Sequence, residues 1–228
     1  MSEHDTRQSF DEQLADTKKG ALALGGLVLE NTRRATEAML ENDLDLAQEV
    51  IAADDEIDDR YAALEHAVFS TLARQQPVAR DLRFLVALTR VLYDIERSGD
   101  LAVNVAKGLV RRDGYTMSPD IHGLLARMSR GAADLFAQGL DALDSLDAAA
   151  GRRLDDADDE VDDLVGELYS AIAAESGGMG FDLAVELSRV GRYMERIADH
   201  AVNIAEHVTF MVTGSFPDDL PPGVRDEA

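Results

Sequence analysis

The sequence predicts an all-α protein made of two tandem, similar three-helix bundles with six long helices in total. Only five prolines interrupt a text rich in Ala, Leu, Arg, Asp and Glu, residue types that favour helix. Apolar residues recur every three or four positions through six long stretches, which is the period of an amphipathic helix. The chain also repeats itself. Leu88 to Ala106 set against Leu187 to Ala205 agrees at ten of nineteen positions, and ADDEIDD from Ala53 returns as ADDEVDD from Ala157. Helix, acidic helix and ERxxD helix therefore follow one another twice.

The first helix is expected from about Ser9 to Leu40. ENDLD caps a second, from about Leu44 to Ala73, and RQQPVARD breaks the chain at Pro77 before a third, from about Ala79 to Arg111. RDGYTMSPD is the clearest linker, since Gly114 ends one segment and Ser118-Pro119 starts the next. The fourth helix runs from about Pro119 to Leu143 and the fifth from about Asp147 to Ala174. SGGMG then turns into a sixth that ends near Thr213. These limits divide the chain into a first bundle at 9–113, a second at 118–214 and a tail at 215–228 expected to be disordered. Short loops make neighbouring helices antiparallel. Gly25 and Gly26 weaken the first helix, so they are read as sites of close helix packing.

Charge narrows the partners. The net charge is −23, from 45 acids against 22 bases, and such a chain is repelled by bare nucleic acid and by an anionic membrane surface. A cation or a basic protein face suits it better. No cysteine is present, which excludes disulfides and thiolate chemistry. The polar, acid-containing start MSEHDTRQSF does not read as a secretory signal, and GALALGGLVL is too short to span a bilayer. The expectation is a cytoplasmic protein with no membrane insertion and no direct nucleic-acid binding.

The repeated acids carry the functional reading. Residues four apart share a helix face, so Glu96, Asp100 and Asn104 form one row and Glu195, Asp199 and Asn203 form its copy. Each row starts at the edge of its helix's apolar stripe and drifts toward the polar side. On the preceding helices Asp54 with Asp58, and Asp158 with Asp162, flank the stripes in the same way. Like charges at this spacing destabilise a helix by roughly a few tenths of a kcal/mol. Four converging carboxylates therefore call for a cation or for arginines such as Arg97 and Arg196. Oxygen ligands without thiol or imidazole point to Mg, Mn, Ca or Fe. The competing reading is a structural ion-pair network. No histidine follows a glutamate at the Glu-x-x-His spacing, and phosphate loops and nucleophile elbows are missing from the sequence, so an enzyme is not expected.

LGGLV at Leu24 to Val28, RQQPVARDLR at Arg74 to Arg83, the DDEID and DDEVD segments and the two ER..D helices together resemble the PhoU family. The resemblance spans about Phe10 to Gly214. It implies a six-helix, usually dimeric protein of phosphate homeostasis. Such a protein restrains uptake by the phosphate ABC transporter through its ATPase when phosphate is plentiful, and in bacteria keeps a phosphate sensor kinase quiet. It further implies metal binding, iron or another ion, through E(D)xxxD motifs. By position those are Asp54 with Asp58, Glu96 with Asp100, Asp158 with Asp162, and Glu195 with Asp199. The rival expectation is a metal-storage or metal-dependent hydrolytic helical bundle.

The bases are lopsided: Lys18, Lys19 and Lys107 are the only lysines, and Arg supplies the rest. A surface this acidic suits a salt-rich medium that screens its self-repulsion. The thermal unfolding midpoint should accordingly rise between low salt and molar KCl, and a flat or falling midpoint would remove that reading.

Overall fold

The computed structural model describes residues 3–175 and 177–217. Over them the chain forms α1 Glu3–Glu41, α2 Leu44–Gln75, α3 Ala79–Arg112, α4 Pro119–Ser145, α5 Ala150–Ala174 and α6 Phe181–Thr213, with no strand among the described residues. The expected caps are in place. Asp43 accepts from the Leu46 amide at 2.9 Å, and the Ser118 hydroxyl accepts from Ile121 at 3.3 Å with Pro119 at the first helical position.

Three boundaries differ from expectation. α1 begins six residues earlier than Ser9, at Glu3, because nothing in EHDTRQ stops a helix and early acids suit its positive end. α5 begins at Ala150, since Asp147 is held in the preceding turn, where its carboxylate accepts from the Ala149 amide at 2.9 Å and from Arg153 at 2.6 Å. The expected tail begins with packed residues. Gly214 closes α6 in the left-handed conformation, Phe216 stacks on Phe210 with centroids 5.0 Å apart, and Pro217 is buried; residues 218–228 lie outside the described residues.

α1, α2 and α3 pack on one another, as do α4, α5 and α6. The two bundles then join through α3 against α6 and α1 against α4, and their buried apolar side chains form a single cluster. Burial separates central from peripheral helices. Seventeen of the 34 residues of α3 are buried, against four of the 32 in α2.

Polar contacts give the direction of the central pair. Ser98 meets His200, Asp94 lies near His207, and Arg111 pairs with Glu186, so residue numbers rise along α3 as they fall along α6. The two helices are antiparallel. Repeat partners are 99 residues apart, so a pseudo-twofold axis crosses the seam beside Gly99 and Ala198.

The Ser98 hydroxyl donates to the Asp94 carbonyl at 2.8 Å, so in its 3.0 Å contact with His200 it accepts from the Nδ1–H of the ring. Asn42 clamps the linker between the bundles, donating to the Tyr115 carbonyl at 2.7 Å and accepting from the Tyr115 amide at 2.6 Å.

Close approach depends on missing side chains. Gly25 faces Leu140 across the α1–α4 contact, whereas Gly26, also expected to serve packing, has open space where a side chain would project. A Cβ on Gly139 would lie 3.0 Å from the Ala201 carbonyl oxygen, which is α6 backbone and cannot rotate away. Gly139→Val should force α4 and α6 apart and cost about 1–3 kcal/mol. The check is urea unfolding, with an unchanged midpoint showing that the contact is slack.

Candidate metal centre

In the second bundle, burial of Val161 and Leu168 fixes the rotation of α5, and burial of Met194, Ile197, Ala198 and Ala201 fixes that of α6. Their flanking carboxylates consequently meet in the groove between the two helices. One oxygen from each of Asp158, Asp162 and Asp199 lies within 4.8 Å of the others, the only such trio among the described residues. Burial, and then the charges of Asp162 and Asp199, push the Asp158 carboxyl up to about 7. Burial also raises Asp162, with Glu195 adding to it, and raises Asp199, with Asp162 adding to it.

Two oxygens in this groove are enclosed without a hydrogen-bond donor, Asp158 Oδ1 and Glu195 Oε2. The other oxygen of Glu195 forms an ion pair with Arg192. Desolvated carboxylate oxygens with no donor suit a hard cation, and the trio fits one.

The first bundle assembles the same acids but neutralises them from within. Lys107 Nζ lies 3.7 Å from Asp54. Arg97 reaches Asp100 at 3.1 Å and Glu96 at 3.5 Å while lying over the Tyr93 ring. Burial still raises Asp54 and Glu96, yet Lys107 pulls the first down and Arg97 the second. Asp58 is exposed beside them, and its charge raises Asp54. The halves differ in where their cations stand, since the place equivalent to Lys107 is held by Glu206 and that of Tyr93 by Arg192, which pairs with Glu195.

The amides of the two rows lie elsewhere. Asn104 is exposed, and Asn203 turns into the seam and hydrogen-bonds with Asp94. Asp94 is buried there 3.7 Å from His207 Nε2. Burial pushes Asp94 up to about 7 and His207 down to about 4, so in mildly acid solution they meet as neutral groups, not as an ion pair. A second polar group in the seam, Glu186, takes Arg111 at 2.9 Å and Arg189 at 3.5 Å. Sequence reasoning missed Lys107, Asp94 and Glu186. The signal for all three was a charge in one repeat facing a different residue in the other: Glu206, Tyr193 and Ala87 respectively.

A duplicated three-helix bundle with a carboxylate groove in each half is a defined class of helical protein. The sequence matches the family model described as the PhoU domain at residues 22–109 and again at 125–208. The chain belongs to the PhoU family. It is 37% identical over 221 residues to phosphate-specific transport system accessory protein PhoU homolog 1 of Mycobacterium leprae, covering 96% of this chain and 100% of that protein. It is 34% identical to the PhoU homolog of Synechocystis sp., over 91% of this chain and 93% of the other. The crystal structure of PhoU from Pseudomonas aeruginosa superposes with a TM-score of 0.85 at 29% identity, over 90% of this chain and 100% of that one. That of the phosphate transport system regulatory protein PhoU from Streptococcus pneumoniae gives 0.82 at 25% identity, over 91% and 98%. Among the described residues no helix is long and apolar enough to cross a membrane.

A carboxyl raised in the folded state binds more protons there than in the unfolded chain, so its contribution to stability falls as pH rises through the folded value. For Asp158 the window runs from its ordinary 3.8 to about 7. In metal-free solution the melting temperature of the parent should therefore fall relative to that of Asp158→Asn as pH rises from 4 to 7. Parallel melting curves against pH would show that Asp158 ionises without penalty.

Proposed function

We propose that this protein is a non-enzymatic regulator of phosphate uptake that acts at the cytoplasmic face of the phosphate ABC transporter. It would contact the transporter's ATPase and restrain uptake when phosphate is plentiful. The accessory-protein and regulatory-protein descriptions of its relatives support the transport role. The single observation that carries the metal part is the trio Asp158, Asp162 and Asp199, which has an enclosed oxygen without a donor and no lysine. Mg, Mn, Ca or Fe is the ion class its oxygens suit.

Under this reading the halves are unequal. Lys107 supplies the first half with a built-in cation beside Asp54, so an external ion seats in the second half. The ion offsets the repulsion among carboxylates from α5 and α6 and stiffens that pair, and the stiffened bundle is the form that engages the transporter. A phosphate sensor kinase is a second partner for the same surface chemistry, and a homodimer is the working assembly.

The test has two arms. In the first, deletion of the gene should leave phosphate uptake high under phosphate excess, and uptake unchanged by deletion ends the transport role. In the second, protein purified without chelator is assayed for bound metal. The parent and Asp54→Asn should carry the same amount, Asp158→Asn with Asp199→Asn should lose it, and Lys107→Ala should gain a second equivalent. Metal loading far beyond the capacity of one carboxylate trio, or metal-dependent phosphoester hydrolysis, would favour the storage or hydrolytic bundle instead.

A further inference from the structure

The outward face at the start of α3, from Leu82 to Arg90, is used by neither the core nor the carboxylate grooves, and at Tyr93 and Arg97 it meets the first groove. Leu82, Val86 and Tyr93 recur along it at helical spacing, with Val78 in the α2–α3 turn, and Phe69 is exposed in the last two turns of α2. These five large apolar side chains are between 40 and 73% exposed. Over the same stretch every exposed charge is an arginine: Arg74, Arg80, Arg90 and Arg97. Its three acids are withdrawn, Asp81 and Asp94 being buried and Glu96 half-buried. In a chain of net charge −23 an exposed apolar face edged only by arginine departs sharply from the rest of the surface.

We propose that this face of α3 is a docking surface for an acidic amphipathic helix of a partner protein. The partner's apolar stripe would lie along Leu82, Val86 and Tyr93, and its flanking carboxylates would meet the arginines. Arginine suits that role, because its planar fork takes a carboxylate through two parallel hydrogen bonds and is less strongly hydrated than lysine.

Charge selects this occupant over the alternatives. A second copy docked isologously would set arginine against arginine. An anionic bilayer would attract the face but repel the acidic remainder of the chain.

The repeat provides an independent argument. On α6, Phe181 and Val185 stand at the positions of Leu82 and Val86, while Arg189 and Arg196 stand at those of Arg90 and Arg97. Phe181 is 80% exposed. Val185, Arg189 and Arg192 line a groove of about 380 Å³ with Tyr169 of α5. An apolar pair followed by arginines thus persists in both halves, with Phe181 exposed and Val185 half-buried, although the charge at Lys107 has not. The inference rests on the reading that this protein works by protein–protein contact and does not depend on a bound cation.

The test uses the full chain and a fluorescein-labelled synthetic peptide about five helical turns long. The peptide has Leu and Trp on one face, Glu on its flanks, and a scrambled control. Anisotropy should show saturable binding of two peptides per chain, weakened by KCl. The pair Leu82→Ser with Val86→Ser, and separately Arg80→Glu with Arg90→Glu, should abolish the α3 site or weaken it at least about tenfold. Arg127→Glu with Arg130→Glu on α4 should leave both sites intact, and melting curves confirm that each variant is folded. Failure of the peptide to bind, equal binding of the scrambled control, or indifference to the α3 substitutions would overturn the proposal. So would binding to phosphatidylglycerol vesicles that depends on the same residues, or self-association that Leu82→Ser with Val86→Ser removes. Phosphate uptake unaffected by gene deletion would leave the peptide result standing, so the two readings fail separately.

Discussion

The antiparallel contact between α3 and α6 is the constraint on which the other helices depend. Apolar ridges alone would let two such helices slide by a turn at modest cost, because Leu, Val and Ala stripes are much alike along their length. The polar atoms in the seam remove that freedom. Ser98 must find His200, Asn203 must find Asp94, and Glu186 must find Arg111, since at least one member of each pair is buried away from water. With the pair in register, the remaining faces of α3 and α6 have one direction left for α2 and α5. The carboxylate grooves form where those outer helices settle.

This hierarchy explains what could be read from the sequence. Helix number, the caps at Asp43 and Ser118, the linker and the tandem halves all follow from local chemistry and period, and the structure has each of them. Asp158, Asp162 and Asp199 were also legible as neighbours, because four-residue spacing puts the first two on one face and the repeat implied a facing helix. Asn203 was not. Whether a side chain at the boundary of two grooves turns into one or the other depends on what waits across the seam, and Asp94 has no acid at the equivalent position in the other half. The extension of α1 to Glu3 escaped for a different reason, since a helix without a stop signal ends where tertiary support runs out.

Duplication gives the molecule two copies of one groove, and the charges around them differ. Lys107 on α3 sets an ammonium beside Asp54 in the first, whereas Glu206 holds the equivalent place on α6 and Arg192 pairs with Glu195 in the second. A charge fixed by covalent bonds is constant across ionic conditions, but a charge drawn from solution varies with them. Under the proposed metal binding, the halves thus contain a reference and a variable within one chain.

The raised Asp158 carboxyl has a further consequence. Near neutrality it is shared between its protonated and ionised forms, so any cation entering the second groove evicts hydrogen ions as it seats. Occupancy is then an exchange of one positive species for another. Its apparent strength must climb with alkalinity, and the heat of the exchange must change with the buffer that takes up what is released. Under the proposed metal binding, the groove becomes a competition between acid and metal, decided by the medium around it.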